Sequence, residues 1–107
     1  SDTLEVAPVM PEFPGGQQAL IQFLGKKIKY PTVAQGEMGL QGRVIIRFVV
    51  DKEGNVVNPK VVRSVDPYLD KEALRIINQM PKWKPGELED GTKVAVYFTV
   101  PVMFRAQ

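Results

Sequence analysis

The sequence contains neither cysteine nor histidine. Together these absences exclude Cys/His zinc sites, Ser-His-Asp triads, Cys-His dyads and the usual general base near neutral pH. No disulfide is available to brace the fold. At 107 residues none is needed, because one core of this size leaves a net stability of about 5–10 kcal/mol. An excess of one charge sign is also lacking. With 14 basic and 12 acidic residues interspersed, the net charge of +2 creates no field that would draw in nucleic acid or an anionic membrane. Nor does any stretch approach the roughly 18 consecutive apolar residues of a membrane span, and there is no signal-peptide pattern. The chain opens on Ser1-Asp2 without Met. A fragment is therefore expected, with any targeting or anchoring segment lying ahead of it.

What is present fits one ordinary α+β domain with 44% hydrophobic residues. Residues 1–16 carry Pro8, Pro11, Pro14 and Gly15-Gly16, a density of breakers that predicts an extended lead-in, the end of a linker. The domain proper is expected over 17–107. Leu20, Phe23, Leu24 and Ile28 recur at helical spacing, with Lys26, Lys27 and Lys29 at the end where cations favour the helix dipole, so a short helix is predicted. Tyr30-Pro31 restarts the chain, and one or two further helical turns are expected through Ala34 before Gly36, Gly39 and Gly42 break them.

Arg43 to Val50 is rich in β-branched residues and apolar on nearly both faces, as a central strand requires. The turn Asp51 to Asn55, with Gly54-Asn55 tolerating positive φ, folds Val56 to Arg63 back as an antiparallel partner. Pro59 cannot donate to a ladder, which assigns that partner to an edge. Asp66-Pro67 starts a helix whose apolar stripe runs through Leu69, Ala73, Ile76, Ile77 and Met80 until Pro81 ends it. A loop with the only Trp, Trp83, and a turn at Glu89-Asp90-Gly91 lead to a last strand, Lys93 to Val102, with one apolar face. The expected architecture is a three-stranded antiparallel sheet of order 2-1-3, a ββαβ core packed against a long helix and preceded by one or two short helices.

The carboxylates fall in turns and at helix starts, where they have ordinary structural duties, and the spaced glycines precede a strand rather than a helix, so they form no phosphate loop. No cofactor and no enzymatic activity are expected. Phe48 and Phe98 lie in register with apolar neighbours and read as core rather than as base-stacking aromatics. What survives is the free edge of the last strand, with Lys93 and Arg105 only at its ends and no Pro before Pro101. Three occupants are open: the Pro-rich lead-in, a second protomer forming a homodimer, or an extended peptide added as a further strand.

The order and spacing of Tyr30-Pro31 with Ala34, Gly42-Arg43-Val44 with Phe48-Val49-Val50, Gly54-Asn55-Val56, Leu69 to Ala73, Trp83-Lys84-Pro85-Gly86, and Val96 to Pro101 ahead of Phe104 resemble the C-terminal domain of TonB, the energy transducer of Gram-negative bacteria. Pro11 to Gly16 is similar to the lead-in common in TonB-like proteins of the Bacteroidetes. The resemblance implies a periplasmic domain of a protein anchored in the inner membrane by an N-terminal helix, where ExbB and ExbD convert proton flux into motion. It implies as partner the TonB box of an outer-membrane TonB-dependent transporter, paired with the last strand through Val94, Ala95, Val96, Tyr97, Phe98, Thr99 and Val100, with Tyr30 as a further contact. Val94, Val96, Phe98 and Val100 are expected to face the helices, and Ala95, Tyr97 and Thr99 the other side. Lys27-Ile28-Lys29 stand before Tyr30-Pro31 where well-studied members carry Gln-Pro, which leaves the identity of the transporter open. TonB-like domains are also appended to membrane metallopeptidase sensors, so a binding or regulatory role in such a protein is the alternative.

Overall fold

The computed structural model describes residues 2–29 and 41–105. Its elements in chain order are α1 (Gln17–Lys27), β1 (Gly42–Val50), β2 (Val56–Arg63), α2 (Pro67–Ile77), β3 (Gly86–Glu87), β4 (Lys93–Val94) and β5 (Val96–Phe104). The main sheet has the order β2-β1-β5 and is antiparallel throughout, as the sequence predicts. The short helix expected at Tyr30 to Ala34 lies outside the described residues.

Strand β1 is central because its side chains suit a covered core face. Val44, Ile46, Phe48 and Val50 are all buried on the helix side, against Leu69, Ala73, Ile76 and Ile77 of α2. On the opposite face Ile45 and Arg47 are half-buried and Val49 is buried. Strand β2 pairs on one side of β1 only, which leaves Pro59 at an edge where its missing N–H costs no ladder bond. The β2 register slips between Ile45 and Ile46 and again between Arg47 and Val49, and Asn58 takes a φ of 54° beside the second slip. Asparagine is among the few residues that tolerate this conformation.

The turn from β1 to β2 is held by Asp51, whose Oδ1 accepts from the Glu53 N–H at 3.0 Å and the Asn55 N–H at 2.8 Å. Gly54 alone supplies the positive φ there, at 87°. Its N–H donates to the Asp51 carbonyl at 2.9 Å, and its own carbonyl accepts from the Trp83 N–H at 2.8 Å. The Trp-bearing loop is thereby tied to the β1-β2 turn.

Helix α2 begins as expected, with Asp66 accepting from the Tyr68 N–H at 2.9 Å and Pro67 in the first turn. It is not the long helix the apolar stripe suggests. Both helices span 11 residues, and α2 stops at Ile77, before Met80. The cause is Pro81, whose ring in a continued helix would collide with the carbonyl of Ile77 four residues back. The chain instead closes with tighter bonds, Gln79 N–H to Ile76 and Met80 N–H to Ile77.

The two helices are joined by one buried carboxylate. Glu72 is 8% exposed. Its Oε1 and Oε2 accept from Arg75 Nε and Nη2, each at 2.7 Å, and its Oε2 accepts from the Lys29 N–H at 2.6 Å. Arg75 Nη2 also donates to the Lys27 carbonyl at 2.9 Å, so the clamp secures the end of α1. Burial pushes the Glu72 carboxyl up, but the Arg75 and Lys29 hydrogen bonds and the nearby positive charge outweigh it and hold the group below the usual glutamate value. A lowered folded pKa means that the clamp contributes fully above the ordinary value of 4.5 and is lost as pH falls through the lower folded value. Glu72→Gln is expected to cost about 1–3 kcal/mol at pH 7, because it removes the charge from a buried hydrogen-bond set. Urea titrations from pH 7 down to pH 3 should show the two proteins converging below pH 4.5. A gap that stayed constant with pH would remove the carboxylate's charge from the account.

Candidate functional site

Every residue of β5 from Val96 to Phe104 is paired with β1, from Val50↔Val96 to Gly42↔Phe104. Its outer edge is divided. The lead-in reaches the beginning of that edge, where the Leu4 N–H donates to the Ala95 carbonyl and the Tyr97 N–H donates to the Leu4 carbonyl, both at 2.9 Å, in a parallel bridge. Arg47 secures this end from the sheet face: its guanidinium carbon lies 3.7 Å from the Tyr97 ring centroid, and its Nη2 is 2.6 Å from Glu5 Oε2. Beyond Leu4 the lead-in leaves β5. It bonds instead to the chain after Trp83, through reciprocal bonds between Val9 and Glu87 and between Glu12 and Lys84.

The N–H and C=O of one strand residue point to the same neighbour, and successive residues alternate sides. Since Tyr97 directs its N–H outward, so do Thr99 and Met103, while Pro101 offers only its carbonyl. Among the described residues, no backbone bond beyond those of β5 with β1 reaches these groups. Thr99, Pro101 and Met103 are all exposed. This half-edge of unpaired donors and acceptors is the candidate site. Its chemistry is main-chain pairing.

The structure places the expected contact residues unequally around it. Val94 lies in β4, where it pairs with Gly86, and the last strand starts two residues later at Val96. Ala95 and Tyr97 are engaged by Leu4. Val96 and Val100 are buried in the core and Phe98 is half-buried against Trp83 and Phe48, with centroids 4.9 and 6.0 Å apart. Thr99 alone among them presents both an open backbone and an exposed side chain. Tyr30 lies outside the described residues. Pro101 falls within the expected strand but not among the expected contacts, and Met103 lies beyond its expected end at Val102, although Val102 and Phe104 continue the apolar alternation and are both buried. The hairpin of β3 and β4 was missed too, being two residues on each side, too short for any period to register. Its turn is visible at Asp90-Gly91, where Gly91 takes a φ of 86° and Asp90 Oδ1 accepts from the Thr92 N–H at 2.9 Å. Hydrogen bonds from Thr92 hold the Asp90 carboxyl below its usual range.

A small antiparallel sheet with helices on one face and a half-open terminal strand defines the class, an α+β domain. The family model for the Gram-negative bacterial TonB protein C-terminal region matches residues 26–106, and the chain belongs to that family of non-catalytic, periplasmic energy-transducer domains. Two solution structures of the Helicobacter pylori TonB C-terminal domain share the fold. The shorter has a TM-score of 0.60 at 25% identity, covering 81% of this chain and 89% of that one. The longer has a TM-score of 0.62 at 23% identity, covering 88% and 87%. No curated protein matches the chain.

Proposed function

We propose that this chain is the periplasmic C-terminal domain of a TonB-type energy transducer, and that the open half of β5 receives the TonB box of an outer-membrane transporter as an added strand. In this reading the parent protein is anchored in the inner membrane and draws on ExbB and ExbD, and the peptide, once paired, carries the pull to the transporter. Family membership supports the role, and the unpaired groups of Thr99, Pro101 and Met103 carry the choice of surface. The peptide pairs beside Leu4 rather than across the whole strand, because Ala95 and Tyr97 are already bonded.

Magnitudes fit a contact that must release. Thr99 and Met103 each offer two groups and Pro101 one, and at about 0.5–1.5 kcal/mol net for each bond these supply a few kcal/mol. Association costs at least about 4 kcal/mol, so side-chain contacts are required and an affinity on the order of micromolar is expected. The test is a titration of the 15N-labelled chain with synthetic peptides spanning the N-terminal segments of TonB-dependent transporters from the same bacterium. The Thr99 and Met103 amides should shift most. Unmoved edge amides at millimolar peptide, for every transporter segment, would falsify strand addition at this edge.

A further inference from the structure

The open half-edge has an apolar trough beside it. A groove of about 580 Å³ runs between α1, the lead-in and β5, with Phe13, Leu20, Ile21, Leu24, Phe98 and Val100 among its walls and Thr99 and Pro101 at its margin. Ile21 is 58% exposed on the helix side of this groove, and on the lead-in side Val9 and Met10 are 42% and 39% exposed. The folded chain brings these apolar groups together without covering them. Its volume falls within the roughly 300–1,000 Å³ in which proteins seat ligands.

The position of the groove relative to the edge identifies its occupant. A strand added to β5 sends every second side chain to the face that carries Phe98, Val100 and Val102, which is the face the groove opens on. Leu4 already shows this arrangement: it is bonded through its backbone beside Val96, and by the pleat its half-buried side chain lies on the same face as the Val96 side chain. A small apolar molecule in the groove would leave the Thr99 and Met103 backbone groups unpaired. An extended peptide satisfies both surfaces at once. Resting on the strand-addition reading, we infer that the groove between α1, the lead-in and β5 is a side-chain subsite that takes apolar residues from two alternate positions of the added peptide, so that the domain selects an apolar i, i+2 pattern. Side chains at the intervening positions stand over the exposed Thr99 and Met103 and are free to be polar.

The test uses the full chain and two composition-matched, end-capped octapeptides of threonine containing two valines. In one the valines are separated by a single residue, in the other by two. Only the first can seat both valines while keeping one register on the edge. It is expected to bind about tenfold more tightly, since burial of one further branched apolar side chain is worth about that factor even when incomplete. Ile21→Glu, at an exposed helix position, should reduce the affinity of the first peptide to that of the second. Gln22→Glu, which adds the same charge to the same helix away from the groove, should leave the difference intact. Circular dichroism and melting of both variants verify that they fold. If both peptides shift the Thr99 and Met103 amides with equal affinity, the subsite is wrong while strand addition stands. If neither shifts them at millimolar concentration, strand addition itself fails. If Ile21→Glu abolishes a concentration-dependent dimer and leaves both peptide affinities unchanged, the groove is an interface between copies and the inference is overturned.

Discussion

Gly54→Ala is expected to lower stability by at least about 3 kcal/mol, a loss usually confined to strained or core positions. Two independent costs meet at this residue. Its φ of 87° lies in a region that residues with a Cβ rarely adopt, and a Cβ built there would stand 2.0 Å from the Trp83 carbonyl oxygen. That neighbour is backbone, so no rotamer change relieves the collision. The turn would have to separate from the Trp loop, breaking the Trp83 N–H to Gly54 carbonyl bond and disturbing the bond from Gly54 to Asp51. At about 4–8 °C per kcal/mol for a domain of this size, the melting temperature should fall by roughly 12 °C or more. Gly91→Ala provides the control. Gly91 has nearly the same φ, 86°, but no atom lies within 4 Å of an added Cβ. It should cost only the conformational strain, about 1–2 kcal/mol. Equal melting temperatures for the two variants would show that the contact with Trp83 contributes nothing.

The difference between these two glycines marks where sequence reading stops. Both stand in visible turns, and their positive φ follows from turn chemistry alone. That one of them is pressed against a residue 29 positions later is a tertiary fact without a local signal. The same division runs through the fold. The Arg43 to Val50 run, Pro59, Asp66-Pro67 and Pro81 each act through backbone chemistry within a few residues, and they were enough to place the central strand, the outer strand and the start of α2. The length of α2 was overestimated because the apolar stripe continues to Met80 while the steric veto of Pro81 reaches back to Ile77.

At the site, the open strand was legible and its division was not. Proline density in residues 1–16 marks an extended segment, yet nothing in that composition says that Leu4 pairs with the β5 edge while Val9 and Glu12 pair with the chain after Trp83. The Glu5–Arg47–Tyr97 arrangement joins three residues that are far apart in sequence and ordinary at each position. Of the four residues expected to face the helices, Phe98 and Val100 pack with the helix residues and Val96 shares their face by alternation, whereas Val94 lies outside the strand, in β4. Alternation could not show that the accessible part of the edge lies further on, at Thr99 to Met103, because that depends on where the lead-in departs.

Trp83→Ala should be among the most destabilising substitutions in the chain, costing about 3–5 kcal/mol. The indole is 3% exposed and stands at the junction of three segments. It meets Phe13 of the lead-in edge-on at 5.7 Å and 88°, Phe48 of β1 at 5.4 Å and 76°, and Phe98 of β5 at 4.9 Å and 69°. These contacts bind the lead-in to the sheet as well as filling the core. Alanine would open a cavity bordered by three rings that cannot all collapse into it. Phenylalanine should behave differently. Among the described residues, Trp83 Nε1 is buried and has no hydrogen-bond acceptor. An unpaired buried donor costs about 1–3 kcal/mol, and Trp83→Phe removes that donor while retaining one ring among its aromatic neighbours. The relief offsets much of the lost volume, so a net cost below about 2 kcal/mol is expected. Urea midpoints for the two variants measure the contrast. A Trp83→Phe protein as unstable as Trp83→Ala would mean that the indole's full width, rather than an aromatic ring among its neighbours, holds the lead-in, the core and β5 together.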